Sequence, residues 1–390
     1  MRRARAPCER PQPAQGSLVV LSNMQWFYGA TWGRTLRVCE RLSPVQRRAG
    51  CAREAEVLSR QLELIEVLRR NVAHPAVSEV HVLVGEAPPV RRFLSRLPWY
   101  ERHRCKLTLV DTGTRPSFVD YMRHISRALL GRTVVLTNQD VMLADGAWAS
   151  LPHALPARTA FFLSRYHMRV TYDVQHSLAA GRAEGVFNGS APTLGRTHSW
   201  SGGRGHTLDS RRVCDMTERR FAVWRRSLCS PANFGSFDAY VLRLTSPLSV
   251  RQLDLFDYPQ NAWGGENLFL YLVTRALGFA AANPCVSLRA VHVHCELPTE
   301  FGVHKVGDRR LGKREIIDRA RAKLRALGHT AGGGNEDVGA LRLNVTELKD
   351  VPGVQLGVAQ STIPAPTHLK GLVAMAAGRG SRGWRATTVR

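Results

Sequence analysis

The 390-residue chain is 44% hydrophobic and 22% charged, long enough for one large or two ordinary globular domains. Its 55 Lys+Arg against 31 Asp+Glu leave a formal charge of +24, which excludes collagen-like, coiled-coil and acidic disordered classes. No membrane span is expected, because the most apolar stretch, Leu268 to Ala282, is broken by Arg275 and falls short of the ~20 residues a span needs.

The basic excess concentrates at the ends. Residues 1–60 hold 11 Arg against 4 Glu, and residues 306–390 hold 15 Lys+Arg against 7 Asp+Glu. Such a field favours polyanions or small anions such as a nucleotide diphosphate, although a solvated basic surface produces it equally well. The chain opens Met1-Arg2-Arg3-Ala4-Arg5 with no apolar run directly behind it. A secretory signal is therefore not expected, and an Arg-rich organelle transit peptide is the alternative. Residues 1–58 read as a basic extension with a first strand near 18–22, from Leu18-Val-Val-Leu21.

Leu58, Leu62, Ile65 and Leu68 then fall at helical spacing, with Arg69, Arg70 and Asn71 at the C-terminal end. Val80, Val82 and Val84 alternate with Glu79, His81 and Leu83 as a strand does, stopped by Gly85-Glu86. Lys106 to Val110 is a second strand, ended by Asp111-Thr-Gly113. Ser117 and Asp120 form a capping-box pattern for a helix carrying Phe118, Tyr121, Met122, Ile125 and Leu129 on one face. Gly131 ends that helix, and Arg132 to Thr137 is a third strand.

Strand and helix alternating through short connections predict an α/β domain with a parallel sheet and right-handed crossovers. Residues 176–232 lack either period and read as a long loop insertion. Order returns at Phe237 to Leu242, followed by Trp263-Gly-Gly-Glu-Asn267, an apolar helix Leu268–Leu277 and a strand Val286–His294. A basic amphipathic helix is expected within 305–330, and 331–390 reads as a low-complexity, disordered tail.

Eight cysteines scattered without a C-x-x-C pair predict neither a disulfide scaffold nor a structural zinc site. Asn188-Gly-Ser190 and Asn344-Val-Thr346 are glycosylation sequons, which have meaning only in a secreted chain.

In open α/β sheets ligands bind beyond the carboxyl ends of the strands, where Glu86, Asp111 and Asn138-Gln139-Asp140 all fall. A carboxylate there can hold a hard divalent cation, while an Asx turn is the structural alternative for the triplet. Trp263-Gly264-Gly265-Glu266-Asn267 presents a carboxylate at a helix start beside an aromatic able to cover a sugar face. Helix capping alone would also account for Glu266. His292 and His294 alternate on a strand and share a face, so either could supply a metal ligand or serve structurally.

The strand-terminal N-x-D, the downstream Trp-Gly-Gly-Glu-Asn and the later His-x-His together resemble GT-A-type glycosyltransferases over roughly residues 59–304. Trp263 to Asn267 is similar to the corresponding motif of β-1,4-galactosyltransferases and polypeptide N-acetylgalactosaminyltransferases. The run from Ser236 through Gly278-Phe-Ala and Asn283-Pro284 to His294 is also similar to uncharacterised GT-A-like proteins that carry a GCDN-type sequence at Gly264–Asn267.

The resemblance implies a GT-A-like, Rossmann-type mixed sheet flanked by helices. It implies transfer of a sugar from a nucleotide diphosphate donor to a glycan, protein or small-molecule acceptor, with Mn2+ or Mg2+ as cofactor. Asp140 then matches the last acid of the D-x-D metal motif, with Asn138 in its first position, and His294 or His292 matches the late metal ligand. Glu266 matches the acid that contacts a sugar and, in inverting members, acts as general base. Glu86 and Asp111 fall where such folds contact the nucleoside, Asp238 is assigned to the acceptor and Arg165 to the diphosphate. Two rival readings are a GT-A-like nucleotide-sugar or glycan binding protein that has lost catalysis, and a polyanion- or RNA-binding protein using the basic ends. The last is disfavoured because no aromatic residues interleave with the basic ones.

Overall fold

The structure is a computed structural model and describes residues 18–24, 52–144, 146–168, 226–227, 229, 237–260, 265–293, 313–326 and 343–354. All of these lie in the compact unit Met1–Val354, whereas the second unit, Gln355–Arg390, lies outside the described residues. So do most of the expected insertion and residues 331–342 of the expected tail.

The first strand, β1 (Leu18–Asn23), is followed by α1 (Ala52–Ala73), β2 (Val77–Val84), α2 (Ala87–Leu94) and α3 (Pro98–His103). Next come β3 (Leu107–Asp111), α4 (Phe118–Ala128), β4 (Thr133–Thr137), β5 (Val141–Leu143) and α5 (Leu151–Ala154). The chain continues through β6 (Thr159–Ser164), β7 (Tyr166–Met168), β8 (Arg226–Ser227), β9 (Phe237–Leu242) and α6 (Val250–Asp254). Last are α7 (Gly265–Arg275), β10 (Ala280–Ala282), β11 (Ala290–Val293) and α8 (Lys313–Ala326).

Seven strands form a main sheet in the order β10-β6-β9-β4-β1-β2-β3, and four form a small one in the order β5-β11-β7-β8. In the main sheet β3, β2, β1 and β4 pair in parallel, as do β10 and β6. β9 lies between β4 and β6 and runs antiparallel to both. The expected Rossmann-type mixed α/β sheet is therefore present, but it is not the all-parallel sheet that strand–helix alternation predicts. The difference lies at β9, which runs antiparallel to both of its neighbours.

Alternation in β2 suggests one wet face, yet Val80 to Val84 are all buried, His81 included. Helices cover both faces of the sheet, so alternate side chains enter two different cores. Val19, Leu21 and Leu83 join the core built with α4 and α7. Leu18, Val20, Val80 and Val82 join the one built with α1 and α2. Aromatic rings fill the first core: Phe269 of α7 lies 5.0 Å from Phe118 and 4.8 Å from Tyr240 between ring centroids.

The capping box of α4 forms as its sequence predicts. The Ser117 backbone N–H donates to the Asp120 carboxylate at 2.9 Å, satisfying a donor that the first turn would otherwise strand. Beyond its end Gly131 adopts φ +77°, a backbone conformation that residues with a Cβ rarely take.

Two expectations are corrected. Cys229 and Cys285 form a disulfide and Cys105 is disulfide-bonded as well, so the cysteines do more than sequence spacing suggests. Cys229 and Cys285 are 56 residues apart, and only the fold brings their Cα atoms to 5.8 Å. Residues 343–354, assigned by composition to the tail, instead pack against the body. Leu348 and Val351 enter the second core, and Val345 bridges to Asn283. No described helix is long and apolar enough to cross a membrane.

Because Phe269 is fully buried among other rings, Phe269→Ala is expected to cost about 3–5 kcal/mol, measured by urea unfolding against the native chain.

Candidate functional site

β4, β1 and β2 end at one edge of the main sheet. The strand order turns outward on either side of β1, which makes this edge the usual ligand crevice. β6 ends beside them through its pairing with β9. Because β9 runs the other way, its first residues, not its last, reach the same edge, where Phe237 pairs with Ser164 and Ala239 with Thr137. Asp238 is placed between the ends of β4 and β6 by that reversal.

Asp238 is 1% exposed, and a lone buried carboxylate would be expensive to keep ionised. Both of its oxygens are engaged. Asn138 Nδ2 donates to Oδ1 at 3.0 Å, and the Arg165 guanidinium forms a short ion pair with Oδ2. Asn138 also donates its backbone N–H to the Asp238 carbonyl at 3.2 Å. Asn at 138 thus supplies a donor that Asp would lack, since two carboxylates facing each other would repel.

The Asn138-Gln139-Asp140 triplet is a turn, closed by the Val141 N–H on the Asn138 carbonyl at 3.2 Å. It carries the chain from β4 in the main sheet to β5 in the small one. β5 pairs antiparallel with β11 so that Val141 faces His292. That register sets His292 Nε2 3.1 Å from Asp140 Oδ2, while the Val293 N–H donates to the Asp140 carbonyl at 2.8 Å. α1 braces the arrangement: buried Asn71 donates to the Val141 carbonyl and accepts from the Leu143 N–H, each at 3.0 Å.

Glu266 stands in the first turn of α7 and accepts the Phe237 backbone N–H at 3.1 Å, tying the helix start to the start of β9. Burial and the negative charge of Asp238 push its carboxyl up to about 8, against the opposing pull of Arg165 and the Phe237 N–H. Burial weakens the Arg165 cation, but the attraction of Asp238, Glu266 and Asp140 outweighs it and holds its proton more tightly than usual. One guanidinium therefore balances three carboxyl groups.

The structure thus gathers Asn138, Asp140, Arg165, Asp238, Glu266 and His292 at the junction of the two sheets. Asp238, assigned above to the acceptor, has both carboxylate oxygens engaged within this network. Glu86 and Asp111 sit at the ends of β2 and β3, roughly 10 and 14 Å from β4 at ordinary strand spacing. The Asp111 carboxylate accepts the Ala87 N–H at 3.0 Å and the Gly113 N–H at 2.9 Å, which hold it below its usual range. Glu86 is exposed and precedes α2. His294, Trp263 and Gly264 lie outside the described residues.

Sequence reading passed over Asn23, which ends β1 at the switch in strand order and donates to Gln260 Oε1 at 2.6 Å. The polar pair Ser22-Asn23 directly after the apolar run Leu18–Leu21 was the available signal.

Among the described residues no group of three or more His, Cys, Asp or Glu is placed to hold a metal. The Asp140–His292 pair offers two donors. That suits Mg2+ or Mn2+ only as part of a set completed by water and phosphate oxygens, the usual condition for Mg2+ in phosphate sites.

No family model matches the chain, and no curated protein matches it. Among solved structures, a candidate nucleotide-diphospho-sugar transferase from Desulfovibrio desulfuricans G20 is similar over 79% of this chain and 97% of its own. Identity is 12% and the TM-score 0.31, a likeness that carries no argument about either chain's chemistry.

Removing the Asn138 donor strands one oxygen of Asp238, so Asn138→Ala is expected to lower stability by about 1–3 kcal/mol in urea unfolding. A pH dependence follows from Glu266. Between pH 4.5 and about 8 the unfolded chain gives up this proton while the folded chain keeps it, so stability falls as pH rises through that window. Glu266→Gln should stabilise the fold by about 1 kcal/mol or more at pH 9 and leave it little changed at pH 4.

Proposed function

We propose that the chain is a metal-dependent glycosyltransferase that moves a sugar from a nucleotide diphosphate donor to an acceptor hydroxyl. The observation that carries this reading is the pairing of Asp140 with His292, beside an Arg165 whose charge is balanced by Asp140, Asp238 and Glu266, at the carboxyl edge of the sheet. These are the residues that the motif order singles out, although Asp140 and Glu266 are 126 positions apart in the chain.

In this proposal Asp140 and His292 hold a divalent cation, with His294 as a further ligand. The cation, when bound, supplies charge stabilisation for a departing diphosphate. Glu266 accepts the acceptor's proton. A carboxyl raised to about 8 is a stronger base than an ordinary one and lies near neutral operating pH, where general-base efficiency is best. Arg165 and Asp238 act as positioning residues, fixing the polar floor against which the donor lies. Asn138 contributes an amide that secures Asp238 and leaves Asp140 as the principal carboxylate ligand.

The reading is tested by isothermal titration of UDP and GDP with and without Mn2+, on the native chain and on Asp140→Ala. A nucleoside diphosphate should bind only with metal, and the substitution should abolish binding. Glu266→Gln should keep nucleotide binding while sugar transfer falls by about 10²–10⁴-fold. Absence of nucleotide binding under every metal condition would sink the transferase reading. Binding of the donor by the native chain without turnover would instead favour the sugar-nucleotide binding protein, a rival that Asn138 in place of Asp also favours.

A further inference from the structure

We infer that Asn344 carries an N-linked glycan, which makes this chain a product of an oxidising, glycan-adding compartment. Three observations support this, and none of them depends on the transferase reading.

The first is the state of the cysteines. Cys105, Cys229 and Cys285 are the described cysteines; all are disulfide-bonded and none is free. Disulfides persist in secreted proteins and in the lumen where they are made, whereas cytosolic reductants keep thiols reduced. With eight cysteines in the sequence, complete pairing is open to the chain. The sequon, which has no meaning in a reducing compartment, acquires one here.

The second is the position of the sequon. Asn344 is exposed, as attachment of a bulky hydrophilic group to its amide requires. The residues after it are anchored. Val345 bridges to Asn283, the Thr346 N–H donates to the Asn283 carbonyl at 3.0 Å, and the Leu348 N–H donates to Ser287 Oγ at 2.9 Å. That same segment, 283–288, carries Cys285. The segment that follows the acceptor asparagine is thus anchored on the stretch that holds the buried, oxidised Cys285.

The third is Thr346. Its hydroxyl is buried and finds no hydrogen-bond partner among the described residues. A buried hydroxyl without a partner carries a desolvation cost that isosteric valine would not. Nothing among the described residues uses that oxygen. Recognition of Asn-x-Thr before folding does use it, and this accounts for a threonine where the fold would accept valine.

The step is a group transfer from a lipid-diphosphate-linked oligosaccharide, catalysed by a separate enzyme. Nδ2 of Asn344 attacks C1 of the sugar, the C1–O bond to the diphosphate breaks, and an N-glycosidic bond forms. One amide proton passes to a base of that enzyme, and the lipid diphosphate leaves with the electron pair of the broken bond.

The test uses the full chain made through the secretory route of cultured eukaryotic cells, with Asn188→Gln present so that the other sequon is silent. Peptide N-glycosidase should increase its gel mobility and leave Asp at position 344 in the peptide mass spectrum. Cys105, Cys229 and Cys285 should resist alkylation until a reductant is added. Asn344→Gln should abolish the mobility change and Thr346→Ser should keep it. Thr346→Val should abolish it and raise the Tm of the enzymatically deglycosylated fold relative to the parent, an outcome that guards against reading misfolding as loss of the site. An exported, disulfide-bonded chain with unmodified asparagine at 344 overturns the inference. Alkylation of the three cysteines without reductant overturns its premise.

Discussion

The ion pair of Asp238 with Arg165 is the interaction on which the arrangement of the sheet edge depends. A carboxylate that is 1% exposed needs a partner for each oxygen, and Asn138 and Arg165 provide them. Those two residues come from the ends of β4 and β6, while Asp238 comes from the start of β9 between them. The electrostatic requirement of one buried group therefore fixes three strand ends in relation to each other. Arg165 also lies at the point where the chain leaves β6 for β7, so the pair ties the main sheet to the small one.

Glu266 extends this network. Its contact with the Phe237 N–H joins the beginning of α7 to the beginning of β9, one residue from Asp238. Burial raises the Glu266 carboxyl, and the nearby negative charge of Asp238 adds to that effect, so Glu266 retains its proton to higher pH. Asp140 belongs to the same charge network, and the turn after β4 also directs it toward the small sheet, where His292 meets it. Neighbouring acids thus acquire different character from their positions, which is the property that acid–base chemistry needs.

Much of the fold was legible because its signals are local. The capping box at Ser117 and Asp120, the helical face of α4 and the apolar runs of β1 and β4 each depend on neighbouring residues and on one period. The reading failed where period and composition were ambiguous. Alternation identified β2 as a strand but not its surroundings, because two cores on opposite faces produce the same pattern as one core and solvent. Residues 343–354 read as tail because their anchors, Asn283 and Ser287, lie far back in the sequence. The Cys229–Cys285 bond was invisible for the same reason, since spacing along the chain says nothing of distance across it.

By itself the sequence determined the α/β class, the ends of most strands, and the polar residues that fall at those ends. These follow from hydrophobic period, turn chemistry and capping, which act over a few residues. Tertiary structure decided which of those polar residues form a site. Asp111 is claimed by the backbone amides of Ala87 and Gly113, whereas Asp140, Glu266 and His292 converge. It also decided that β9 runs antiparallel and that Asn138 serves Asp238. Such outcomes depend on desolvation and charge balance among strand ends distant in sequence, and those forces exist only once the sheet has assembled.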